Sequence, residues 1–204
     1  MSLPGAAMRR RDFVSLLGAA AVLCSTRSGA QQPSKTYLIG VLTLQFPTLI
    51  MARLEIAAGE ARQERRTYLT DEFDPDPLVR AVFRLRNDVV MIGRAAAEPL
   101  SEPIVARLRE PVEQVSQAAQ RFLRTCADAL RARKNPPVLS AVDQALARFI
   151  ATIEELRREG ATRALPAENI GRLYALRFAL EQLRQNFEDF RNRVTECARA
   201  DREA

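Results

Sequence analysis

The last forty residues constrain this chain most. Leu173, Leu176, Leu180, Leu183, Phe187, Phe190, Val194 and Cys197 follow one another in alternating steps of 3 and 4. Only an α-helix gathers such positions into one stripe, because 3.6 residues per turn brings i+3 and i+4 back to the same face. The spacing predicts a helix from near Pro166-Ala167-Glu168 to about Arg199 with a coiled-coil-like seam. Tyr174, Phe178 and Ala179 widen the apolar face beyond a two-stranded seam, so packing inside a bundle is expected. The other side should carry the i, i+4 pairs Arg177–Glu181, Arg184–Glu188 and Asp189–Arg193.

The same period runs upstream. A leading helix is expected over about Arg53 to Leu69, polar on most faces, with a break at Asp71 to Pro77. Asp76 then reads as the cap of the next helix and Pro77 as its first residue, where a missing N–H costs nothing. That helix should reach about Ala97, with Leu78, Val82, Leu85, Val89 and Ile92 inward and an Arg84–Asp88 pair on the wet side. Pro99-Leu100-Ser101 makes the next break, and Ser101 is an N-cap candidate with Pro103 in the first turn.

The helix that follows should run to about Lys134, be kinked or split by Pro111 near Glu110, and carry Val115, Ala119, Phe122 and Cys126 on its seam. Asn135-Pro136-Pro137 ends it. Leu139, Val142, Leu146, Phe149, Ile153 and Leu156 then define a helix to Arg158, stopped by Gly160. Short connections favour antiparallel neighbours. The expected fold is all-α: an antiparallel up-and-down bundle of four long helices plus the leading helix, over residues 53–204, with at most one short strand elsewhere.

The first 52 residues differ in character. Arg9-Arg10-Arg11-Asp12-Phe13-Val14 starts a 12-residue run without further charge from Phe13 to Cys24, the length of a signal-peptide core and short of a membrane span. Ser28-Gly29-Ala30 offers a cleavage point after Ala30, and Arg10-Arg11-x-Phe13-Val14 is similar to a twin-arginine export motif. Residues 1–30 are therefore expected to be a targeting segment, which implies a periplasmic product; an ordinary short helix is the plainer alternative.

Residues 31–52 are expected to be an extended linker, with Lys35 to Leu44 as a short strand. The leader and this strand, RRRDFVSLLGAAA followed by AQQPSKTYLIGVLTL, resemble the start of bacterial ABC-transporter substrate-binding proteins. Thr36 to Ala52 holds 17 residues without charge, the lower edge of a membrane span, but Gly40, Gln45 and Pro47 weaken a continuous helix there.

Composition removes several chemistries. The 204-residue chain has no histidine, which eliminates Ser-His-Asp and Cys-His nucleophiles and every His-containing zinc site. It has no phosphate-binding glycine loop, and its adjacent acids, Glu154-Glu155 and Glu188-Asp189, diverge on a helix. No catalytic, cofactor-binding or metal-ligating residue is nominated, and no enzyme activity is expected. Cys126 and Cys197 fall on apolar seams and read as small buried groups, with their pairing left open. Arg9, Arg10, Arg11, Arg27 and Lys35 against Asp12 account for most of the net charge of +6, so the body carries interleaved, nearly balanced charge. A nucleic-acid partner is not expected from such a body, since phosphate binding needs clustered cations.

Three blocks carry a further resemblance: Asp74-Pro75-Asp76-Pro77-Leu78-Val79-Arg80; Phe83-Arg84-Leu85-Arg86-Asn87-Asp88-Val89-Val90-Met91-Ile92-Gly93-Arg94; and Ala175-Leu176-Arg177-Phe178-Ala179-Leu180-Glu181-Gln182-Leu183-Arg184-Gln185-Asn186-Phe187. Together they are similar to the soluble helical region of the FUSC family, the fusaric-acid-resistance or aromatic-acid-exporter-like membrane proteins. The resemblance implies an inner-membrane transport system for efflux of aromatic acids. The family's hydrophobic spans have no counterpart in residues 53–204, and a lone bundle cannot form a transmembrane path. The expectation is therefore a detached or truncated accessory part, partnered by a membrane protein or by another copy of itself, with its small-molecule ligand unassigned.

Overall fold

A computed structural model describes residues 48–68, 74–97, 100–163 and 165–203. The described residues form five helices: α1 (Thr48–Tyr68), α2 (Asp76–Ala95), α3 (Glu102–Ala132), α4 (Ser140–Arg158) and α5 (Ala167–Glu203). No strand occurs among the described residues. The expected targeting segment, its cleavage point and the strand at Lys35 to Leu44 lie outside them. Among the described residues no helix is long and apolar enough to cross a membrane.

All eight positions of the α5 seam are buried, from Leu173 to Cys197. So are the four α3 positions and the six seam residues from Leu139 to Leu156. They meet in one core with Leu78, Val82, Leu85 and Ile92 of α2 and with Leu54, Ala57 and Ala58 of α1. The directions of the helices follow from their cross-contacts. Arg84 pairs with Asp189 and Asp88 with Asn186, while Ala95 lies near Arg172 at the far end, so α2 and α5 are antiparallel.

Arg107 bonds Glu159 at 3.2 Å and Arg148 bonds Gln114 at 3.1 Å, which makes α3 and α4 antiparallel. Glu154 with Arg177 and Asp143 with Arg184 do the same for α4 and α5. The four long helices thus alternate in direction along the chain. α2 lies chiefly along α5 and α3 along α4, and α1 leans on α2. Phe122 and Phe187 tie α3 to α5, their ring centroids 5.1 Å apart and tilted at 48°.

The helix ends correct several expectations. Helix α1 begins at Thr48, so residues 48–52 are helical and not linker. It starts just beyond Pro47, the last of the breakers, and Leu54, Ala57 and Ala58 give it a buried stripe that its polar composition conceals. Asp76 does not cap α2. Pro75 occupies the N-cap position, Asp74 accepts the Asp76 N–H through Oδ1 at 3.1 Å, and Asp76 is free to pair with Arg62 at 3.0 Å.

Pro111 does not split α3, which is one helix from Glu102 to Ala132. Proline forfeits one N–H there, whereas buried Leu108, Val112 and Val115 hold both flanks on the same core. Ser101 holds the N-cap position as expected, but its backbone carbonyl and not its hydroxyl serves the first turn. Gly160, at φ 75°, closes α4 as expected, with Ala161 N–H on the Leu156 carbonyl and Gly160 N–H on that of Arg157. Arg133 takes the same left-handed conformation at the end of α3, at φ 55°.

Candidate functional site

The antiparallel contact of α2 and α5 leaves a groove of about 430 Å³ on the outer side of the bundle. On α2 its wall is Asp88, Met91 and Ala95, spaced 3 and 4 apart, with Arg94 at the rim. On α5 it is Gly171, Ala175, Phe178, Ala179 and Gln182, with Glu168 and Arg172 at one end. The spacing follows from helix geometry: these positions lie one step round from the core seams and form a second stripe. Small residues on α5 leave the space, and Met91 and Phe178 supply its apolar lips.

The groove walls depart from what their sequence positions suggest in two ways. Tyr174 and Phe178 were expected to widen the packed face of α5, yet Phe178 is 64% exposed and Tyr174 is 39% exposed. Ala179 alone of the three is buried. A four-helix core is filled by the seam itself, and positions a further step round the helix point past it. Met91, 51% exposed, faces the same groove from α2. The second departure is Asp88, expected on the wet side beside Arg84. It is one of two buried polar or charged residues among those described, at 6% exposure, and its Oδ2 accepts a hydrogen bond of 2.7 Å from Asn186 Nδ2. Arg84 instead reaches Asp189 on α5.

Burial pushes the Asp88 carboxyl above the usual carboxylate range, against the opposing pull of the Asn186 hydrogen bond and of Arg84. The folded chain therefore holds this proton more tightly than the unfolded chain. Stability falls as pH rises from the ordinary carboxylate range through Asp88's raised value, and stays at the lower level above it. Asp88→Asn keeps an acceptor for Asn186 and removes that slope, so it is expected to be as stable as the parent or more stable near neutral pH. Asp88→Ala strips Asn186 of its partner and should cost on the order of 1 kcal/mol. Urea midpoints across the acidic range measure both; an Asp88→Asn variant with the parent's pH slope would contradict this account.

The other expected pairs divide. Arg177–Glu181 and Arg193–Asp189 form at 3.1 and 3.4 Å. Arg184 turns instead to Asp143 of α4 at 2.8 Å, and Glu188 pairs with Arg191 at 2.6 Å. Interhelical carboxylates compete with i+4 partners, and only the packed bundle places Asp143 within reach. Cys126 and Cys197 are both buried. Burial pushes the Cys126 thiol up to about 12, partly countered by Arg191, which makes it an inert packing group. Among the described residues no three Cys, Asp or Glu side chains converge as a metal-ligand set.

These features define a helical bundle whose first and last long helices share an open amphipathic groove. Comparison with protein-family models, with curated proteins and with solved structures finds no match to this chain.

Proposed function

We propose that the chain is a non-enzymatic helical interaction module, an accessory part of a FUSC-type inner-membrane system for efflux of aromatic acids, which docks on a membrane protein through the α2–α5 face. One observation carries this reading. Phe83 to Arg94 and Ala175 to Phe187, the two longer blocks that resemble the family, lie far apart in sequence but pack along each other. They join through Asp88–Asn186 and supply most of the groove wall. Exposed Met91 and Phe178 there offer the kind of large apolar side chains that anchor protein interfaces.

Site-specific photo-crosslinking in cells tests the proposal. A crosslinker at Phe178 should trap an integral membrane protein, whereas one at Val138, 67% exposed in the α3–α4 connection, should not. Equal capture from both positions, or none from Phe178, would overturn it. A second reading, an exported periplasmic interaction protein, draws on Arg10-Arg11 and the small residues before Gln31. It would place the crosslinked partner's contact site on the periplasmic side.

A further inference from the structure

The α2–α5 groove is charged at both ends and apolar between them. At one end Asp88 is buried, and only its Oδ2 has a hydrogen-bond partner among the described residues. Its Oδ1 accepts none there, and the neighbouring cation Arg84 is engaged by Asp189. Asp88 lines the groove, so its Oδ1 is the acceptor left for a donor arriving there. Arg94 lies six residues further along α2, about 9 Å by helix rise. It makes no ion pair with any described residue, while Arg172 beside it is held by Glu168 at 2.8 Å. Met91 and Phe178 wall the space between the two charges.

A purely cationic ligand would satisfy Asp88 and be repelled by Arg94, and a purely anionic one would meet the reverse. A ligand carrying both charges completes two charge-assisted contacts and leaves the groove neutral. We propose that this groove binds a small dipolar molecule with an apolar body, its ammonium group on Asp88 and its carboxylate on Arg94. The ring or chain of such a molecule lies against Phe178 and Met91, where water is displaced from apolar surface. This goes beyond the docking reading and does not rest on it: the two concern different ligands and are measured separately.

The test is titration calorimetry of the full chain with 4-(aminomethyl)benzoate, 4-methylbenzoate and 4-methylbenzylammonium. The last two each lack one charged end. The dipolar probe should bind at least about tenfold more tightly than either, the loss expected for one charged hydrogen bond. Asp88→Asn should weaken the dipolar and ammonium probes and spare 4-methylbenzoate. Arg94→Gln, at an exposed position that leaves the core untouched, should weaken the dipolar probe and 4-methylbenzoate and spare the ammonium. Absence of saturable binding by the dipolar probe would overturn the proposal. So would 4-methylbenzoate binding as tightly as the dipolar probe, since recognition would then rest on Arg94 alone.

Discussion

Phe187→Ala should lower the stability of the bundle by about 3–5 kcal/mol. Phe187 is 1% exposed and sits at the centre of the α5 seam. Its ring meets Phe122 across the α3–α5 contact, the one aromatic pair among the described residues. Truncation removes apolar area, leaves a cavity that rigid helices fill poorly, and breaks an aromatic contact worth a further ~0.5–1.5 kcal/mol. Domains of this size are stable by only about 5–15 kcal/mol, so the variant should approach the unfolding threshold at room temperature. Phe178→Ala is the matched control. Its ring is largely in solvent, and its loss should change stability by less than about 0.5 kcal/mol. Urea denaturation followed by circular dichroism measures both, and similar costs for the two phenylalanines would contradict the packing described above.

Leu180→Ala should cost about 2–5 kcal/mol, while Glu188→Ala should shift stability by no more than about 0.5 kcal/mol. Leu180 is 1% exposed, with Leu183 and Leu176 equally enclosed on the same stripe. Glu188 has a half-exposed side chain whose partner is Arg191 at 2.6 Å on the same helix. A short ion pair in water gains little, because solvent screens it and two long side chains lose freedom to hold it. A single cooperative transition in buffer, weakened by Leu180→Ala and barely moved by Glu188→Ala, is the expected result for an autonomous bundle. A gradual, non-cooperative loss of helix would show that the body needs a membrane partner to fold. It would also change the meaning of the crosslinking experiment, since the partner would then be part of the core.

Much of this architecture is legible from residues alone. The stepping of Leu173 through Cys197, and of Leu139 through Leu156, marks two seams whose every position is buried. Gly160 stops α4 because it accepts a left-handed backbone, which is a local property. Pro111 misled as a point of splitting for the opposite reason. A proline's local cost is fixed, but whether a helix breaks there depends on the packing of its flanks, here Leu108, Val112 and Val115. The start of α1 is similar, because Leu54, Ala57 and Ala58 count as a buried stripe only once the bundle lies beneath them.

The groove depended most on tertiary structure. Leu85 is followed three residues later by Asp88 and four residues later by Val89, and Ile92 is compatible with either. A period of 3.6 does not choose between them, and polarity argued for Val89 inward and Asp88 outward. The packed helices chose Asp88, because Asn186 stands opposite it on α5 and can donate to it at 2.7 Å. That partner is remote in sequence, and no local pattern announces it. Sequence by itself determined that the body is helical and where the long apolar seams of α4 and α5 lie, since both follow from backbone geometry and from the short range of helical contacts. Only the tertiary structure decided that α2 lies along α5, that Asp88 is buried beside Asn186, and that Met91 and Phe178 remain uncovered. Each of those depends on what stands across a gap between helices, where residues distant in the chain meet.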